Sequence, residues 1–328
     1  MAILVLGGAG YIGSHTVKQL YSEGHEVIIL DNLVHGHKEL VIDICSHFYE
    51  GDFGNTALLE HIFNEHDIEI VIHFAAFAYV GESINNPSKY YINNFSKGIS
   101  LLDSMVKFSC RKIIFSSTCA TYGEAQYLPI DELHQQEPIN PYGKSKYFFE
   151  QALEDYDHAF GLKHVCLRYF NASGASSDGT LGEWHEPETH LIPLALLAAL
   201  GRGDELVVFG NDYDTIDGSC MRDYIHVEDL AKAHIKGMDY LNNGKDSLKC
   251  NLGTGQGISV LQIIKSIKNL TGLDVQYKFG PRRPGDPSEL IASPEKARKE
   301  LNWIAEKSDI NNIIESSYRW ILKLESLI

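Results

Sequence analysis

The chain has 328 residues, 44% of them apolar and 22% charged, and a formal net charge of −16. That length exceeds the usual single compact core, so one large or two intimate domains are expected. The acidic balance opposes nucleic acid or anionic membrane as a main partner, yet leaves room for a local basic pocket that takes a small anion.

The N-terminal "MAILVLGG" enters an apolar strand at once, with no basic region or small-residue cleavage site before it. No run of about 18 apolar residues suggests a membrane span. Six scattered cysteines without a C-x-x-C pair read as reduced thiols, and a cytoplasmic protein is expected. Fifteen histidines include no H-E-x-x-H or comparable ligand set, so no metal site is expected.

Strands are predicted at Ile3–Leu6, Glu26–Leu30 and His47–Glu50, and helices over Tyr11–Ser22 and Thr56–Glu65. The continuous apolar runs at 68–76 and 111–118 read as strands buried on both faces. Helical spacing covers 93–108 and 143–160, and 163–170 is the next strand. This alternation predicts an α/β fold, a Rossmann-type doubly wound parallel sheet. After Asn171 the texture changes: 171–190 is rich in Gly, Ser and acids and resembles a long excursion or lid. An amphipathic helix near Asp309–Leu324 closes the chain. The expected division is a first domain over 1–171 and a smaller mixed α/β domain over 172–328, some segments of which return to the first.

"GGAGYIG" places Gly7, Gly10 and Gly13 between strand and helix, where glycines allow a tight turn and close backbone approach to a pyrophosphate. Asp31 follows at the end of the second strand, where a carboxylate accepts from both ribose hydroxyls and repels a 2′-phosphate. The pairing favours NAD over NADP. Tyr142 and Lys146 lie four apart at a helix start and share one face. A lysine ammonium there would favour the phenolate, and with a nicotinamide cation adjacent Tyr142 would become a usable base near neutrality. Taken alone, that spacing fits an ordinary amphipathic helix equally well. The hydroxyl of Thr118, in "SSTCATYG" at a strand end, completes a set of three.

Together these elements resemble the extended short-chain dehydrogenase/reductase superfamily. "VIHFAA", "VGES", "PYGKSK", "LRYFN", "HLIP", "VFGNDY", "NLGTG" and "PRRPGD" narrow the resemblance to the UDP-glucose (UDP-galactose) 4-epimerase family over essentially the whole chain. The resemblance implies an isomerase of galactose metabolism that inverts C4 of a UDP-sugar through a 4-keto intermediate, with tightly bound NAD. It implies Thr118, Tyr142 and Lys146 as catalytic residues. NAD contacts would come from Gly7, Gly10, Tyr11, Ile12, Gly13, Asp31, Asn32, Asp52, Phe53, Phe74, Asn93, Tyr142, Lys146 and Tyr169. The UDP-sugar would meet Thr118, Asn171, His190, Leu191, Val207, Phe209, Arg222, Tyr224, Arg283, Asp286 and Leu290, with the two arginines clamping the diphosphate. Ala78 stands where relatives often carry lysine. Leu290 occupies a position that gates N-acetylated sugars, so some turnover of UDP-N-acetylhexosamines is expected. A homodimer through the helices 93–108 and 143–160 is also implied.

Three other readings compete. A nucleotide-sugar 4,6-dehydratase needs an acid pair after the strand-end threonine, where this chain has Cys119 and Ala120. A UDP-pentose or UDP-hexuronate epimerase would keep the same chemistry. A non-catalytic NAD sensor would have no use for Thr118, Tyr142 and Lys146 together.

Overall fold

The computed structural model describes residues 2–283 and 287–324. Its central sheet has seven strands, and every neighbouring pair runs parallel. Six come from the first half: β1 (Ala2–Leu6), β2 (Glu26–Asp31), β3 (His47–Glu50), β4 (Ile68–His73), β5 (Lys112–Thr118) and β6 (Lys163–Tyr169). The seventh, Leu248–Leu252, arrives from far along the chain and pairs with β6 at the edge. The spatial order runs Leu248–Leu252, β6, β5, β4, β1, β2, β3. Strand order therefore reverses between β1 and β4, which opens a crevice at their carboxyl ends.

Both faces of the sheet are covered, which is why its strands read as unbroken apolar runs. On β1, Ile3 and Val5 join a core cluster with Val17 and Leu20 of helix α1 (Tyr11–Ser22) and with Leu230 and Met238. Leu4 and Leu6 face the other way, against Leu59 and Ile62 of helix α2 (Thr56–Glu65), Leu101 and Phe149. A separate cluster unites the helices Leu191–Ala199, Val260–Thr271 and Ile310–Leu324 with the parallel pair Leu206–Phe209 and Tyr277–Gly280. This is the smaller mixed α/β region.

Two boundaries differ from expectation. The strand at 68 ends at His73, because Phe74 N and Ala75 N both turn to donate to the Leu6 carbonyl. The helix expected over 93–108 is α-helical only from Lys97 to Lys107 and is entered through a π-helical turn, Tyr91–Ser96. That wider turn buries Asn93 and Asn94. Asn94 Nδ2 donates to the Phe77 carbonyl and its Oδ1 accepts from Phe77 N, which pins the loop after β4.

Candidate active site

The glycine turn follows β1 directly. Gly7 sits at φ +76°, and a Cβ on it would lie 2.6 Å from Ala75 N; a Cβ on Gly13 would lie 2.1 Å from the Gly7 carbonyl. Only glycine permits that approach. Gly10 caps α1 without any side-chain hydrogen bond, so the N–H groups of the first turn stay available to an anion. Asp31, at the end of β2, accepts from Ala9 N and Leu33 N at 2.9 Å each. Burial raises its pKa, and these two bonds draw it back. Asp31, Asn32, Phe53, Phe74 and Asn93 line a small cavity of about 100 Å³ together with Gly7 and Gly10. Asp52 stands beside it, with its carboxylate accepting from Lys97 Nζ at 2.5 Å and from Gly54 N.

A larger cavity, of about 430 Å³, continues from the same turn. Gly7, Gly10, Tyr11, Ile12, Gly13, Thr118, Tyr142, Lys146, Tyr169, Asn171, His190, Arg222 and Leu290 all line it. The helix Pro141–Phe160 begins beneath it, capped by Asn140, whose side chain accepts from Gly143 N at 2.8 Å. That cap and Pro141 set the first turn, so Tyr142 and Lys146 project one turn apart towards the end of β5. Thr118 is the last residue of β5, and its hydroxyl accepts from Ala120 N at 3.1 Å. Lys146 Nζ donates to the Ser116 carbonyl at 2.7 Å, and Tyr169 bonds the Ser116 hydroxyl.

Burial pushes the Tyr142 phenol well above its ordinary value, with the Thr118 hydroxyl opposing the rise. Burial also brings Lys146 down to about 7, against the pull of Glu150. Lys146 alone therefore does not make Tyr142 a base near neutrality. A nicotinamide cation beside the phenol, as the sequence leads one to expect, would favour the phenolate.

The wall behind is rigid. Glu150, fully buried on the same helix, accepts from Arg168 Nε at 2.9 Å and Nη2 at 2.5 Å and from the Ser117 hydroxyl at 2.5 Å. Helix, β5 and β6 are thus locked together one residue from Thr118.

The residues expected to meet the sugar nucleotide fall into two groups. Arg222 is buried, its guanidinium donating to the carbonyls of Met221 at 2.6 Å and Pro287 at 2.8 Å, with its side chain at the cavity wall. Val207 and Phe209 lie on the neighbouring strand, and the Arg283 guanidinium stacks 3.9 Å from the centre of the Phe209 ring. Neither these three nor Leu191 and Tyr224 are among the described residues lining the larger cavity. Leu191 opens the helix Leu191–Ala199, and Tyr224 is buried in the second core opposite Asn171. Asp286 lies outside the described residues.

Ala78, singled out from the sequence, lines the cavity too; sequence reasoning passed over other lining residues, His35, Tyr79, Glu183 and His185. The last two belong to Glu183-x-His185-x-x-Glu188-x-His190, a pattern within the segment read as a lid. Its four side chains converge. His190 Nδ1 is 2.6 Å from Glu183 Oε1 and 3.1 Å from Glu188 Oε1, and His185 Nδ1 is 3.2 Å from Glu183 Oε1. Burial disfavours charge on His185, but the two carboxylates outweigh it and raise the pKa to about 9. The regular spacing of alternating acids and imidazoles was the available signal.

A reversed strand order, a glycine turn and a buried Tyr/Lys pair define a dinucleotide-binding α/β protein with proton-transfer groups at its crevice. The chain belongs to the NAD dependent epimerase/dehydratase family, whose sequence profile matches residues 3–253. A UDP-glucose 4-epimerase of Lacticaseibacillus casei is 49% identical over 98% of this chain and 96% of its own. The crystal structure of UDP-glucose 4-epimerase from Brucella ovis in complex with NAD superposes with a TM-score of 0.94 at 48% identity, covering 97% of each chain. That of the Bifidobacterium longum enzyme in complex with NAD+ and UDP gives 0.94 at 41% identity, covering all of both.

Proposed function

We propose that this chain is an isomerase that interconverts UDP-glucose and UDP-galactose by inverting C4 through a 4-keto sugar, with NAD as cofactor. The observation that carries this reading is the single cavity in which the glycine turn, Thr118, Tyr142, Lys146 and Arg222 meet. The cradle suits a dinucleotide: the glycines leave no room for side chains, the first-turn N–H groups are free for phosphate, and Asp31 ends β2. When bound, NAD supplies a reversible hydride acceptor at its nicotinamide.

The chain's own residues handle orientation and protons. Thr118 holds the sugar 4-hydroxyl, and Tyr142 takes its proton and returns one to the same oxygen after the 4-keto sugar has turned its other face to the hydride. Lys146 adds positive charge beneath the phenol. Arg222, and Arg283 from the neighbouring face, grip the diphosphate while the sugar turns. Asn171 and His190 donate to the nucleotide sugar, and Leu191, Val207, Phe209, Tyr224 and Asp286 complete the uridine side. With Cys119 and Ala120 after Thr118, no carboxylate stands ready to expel water, which disfavours a dehydratase.

Replacing Tyr142 by Phe tests the assignment. Turnover of UDP-galactose should fall by about 10²–10⁴-fold while NAD stays bound, and a near-normal rate would overturn it. We further propose a homodimer. Ile84, Ile92 and Phe148 are 60%, 56% and 41% exposed, and Tyr91 and Phe95 pack around Phe148. Such an apolar face on adjoining helices suits pairing with a second copy. Sedimentation of a Phe148→Glu variant as a monomer is the expected result. Among the described residues no helix is long and apolar enough to cross a membrane, and residence in the cytoplasm accords with six free cysteines. The domain division follows the same lines: 1–171 holds NAD and 172–328 the UDP-sugar, with 227–252 returned to the first sheet.

A further inference from the structure

Of the cluster at Glu183, His185, Glu188 and His190, only His190 has a part in the function above. All four come from one eight-residue strap on the cavity wall, and their donor atoms lie within 4.8 Å of one another. Glu183 is 95% buried at its side chain, yet its Oε1 makes no hydrogen bond, although two imidazole nitrogens lie 2.6 and 3.2 Å away. His185 Nδ1 is likewise buried without a hydrogen-bond partner. Both atoms thus stand at ion-pair distance from the cluster without hydrogen-bond geometry, while His190 Nδ1 bonds Glu188 Oε1 at 3.1 Å. A polar atom left in that state is costly unless something else satisfies it.

We propose that these four side chains bind a divalent transition-metal ion, zinc by the chemistry of the donors. Two imidazoles and two carboxylates form a closed set of four, as a structural zinc site requires. The two carboxylates also balance the ion's charge. Other four-donor ions of the same series compete only through availability.

The strap is already held at its N-terminal end. Trp320 Nε1 donates to the Glu183 carbonyl at 2.8 Å, and the Trp184 ring stacks on His37 at 3.7 Å. His185 meets the edge of the Tyr11 ring beside the glycine turn. An ion here fastens the strap across the mouth of the cavity. Coordination through Nδ1 also leaves His190 with its proton on Nε2, a fixed donor on the cavity wall. A second group, Glu26, His47 and His66, offers only three donors, two of them on exposed residues, and its His66 Nε2 already bonds Tyr49.

The test uses the NAD-loaded enzyme, stripped with EDTA and titrated with zinc chloride by calorimetry and elemental analysis. One zinc per protomer is expected, and cobalt(II) in its place should give the intense visible bands of a tetrahedral ion. His185→Ala and Glu188→Gln should each weaken zinc binding by more than about 100-fold, while His47→Ala leaves it intact. Circular dichroism and retained NAD report that each variant is folded. No zinc bound to the unaltered enzyme, a weak octahedral cobalt spectrum, or loss of binding with His47→Ala rather than His185→Ala would each overturn the proposal. These readouts do not depend on which sugar nucleotide is turned over.

Discussion

Removing one partner of the buried Glu150–Arg168 pair should destabilise the protein far more than removing both. Glu150 is fully buried and Arg168 is 2% exposed. Glu150→Gln takes the counter-charge from a guanidinium that keeps only Tyr122 and Gln136 as other acceptors, at 2.8 and 3.1 Å. Breaking a buried pair on one side costs about 3–5 kcal/mol. Over a chain of this length, at ~2.1 cal/mol/K per residue, that corresponds to a fall in Tm of about 4–7 °C. Arg168→Met should cost a similar amount, softened by Lys249 at 3.8 Å from Glu150. The double change to Glu150→Gln and Arg168→Met removes both charges and should recover most of the loss. Urea titration of the four proteins closes the cycle. Single variants within about 1 kcal/mol of the parent, or a double variant as costly as the two singles combined, would refute the reasoning.

Enlarging Leu290 to tyrosine should cut turnover of UDP-N-acetylglucosamine by about 10–200-fold relative to UDP-galactose, read in a paired kinetic assay; an unchanged ratio would remove Leu290 as the gate. Ala78→Lys places a cation at the cavity wall, and one charge-assisted hydrogen bond of about 1.5–3 kcal/mol should slow NAD loss by roughly tenfold or more, followed by filtration and fluorescence. His15, His164, His226 and His234 are lowered to about 4 and His73 to about 3, in each case by burial first. Their folded values lie below the unfolded value of about 6.5, so the unfolded chain binds more protons and stability, complete above that pH, is lost on acidification towards pH 4. With three to five protons taken up, the slope near pH 5 should reach about 4–7 kcal/mol per pH unit; urea midpoints that stay flat between pH 7 and 5 would contradict it.

Where the sequence carried an unbroken apolar run or a clean amphipathic period, it was read nearly to the residue. Tyr11–Ser22, Thr56–Glu65 and His47–Glu50 have the predicted bounds. The glycine turn, Asp31 and the Tyr142/Lys146 pair were legible because their roles depend on local geometry. Leu248–Leu252 was not, since Lys249 and Asn251 interrupt its apolar character and only pairing with β6 makes it a strand. The upward pull of burial on the Tyr142 phenol was not legible for a similar reason: spacing along a helix says nothing about what surrounds the side chain. Nor does spacing reveal that Glu183 and His190, seven residues apart, point at the same place.

The late arrival of Leu248–Leu252 has a consequence for how the protein is made. Until that segment leaves the ribosome, β6 is a naked, apolar edge carrying Val165, Cys166 and Leu167. At ~5–20 residues per second, the roughly eighty intervening residues take about 4–16 s to synthesise. For that interval the nascent chain offers a template to any neighbouring strand. Shielding of that edge during translation then bears on the yield of folded protein, apart from the durability of the finished enzyme.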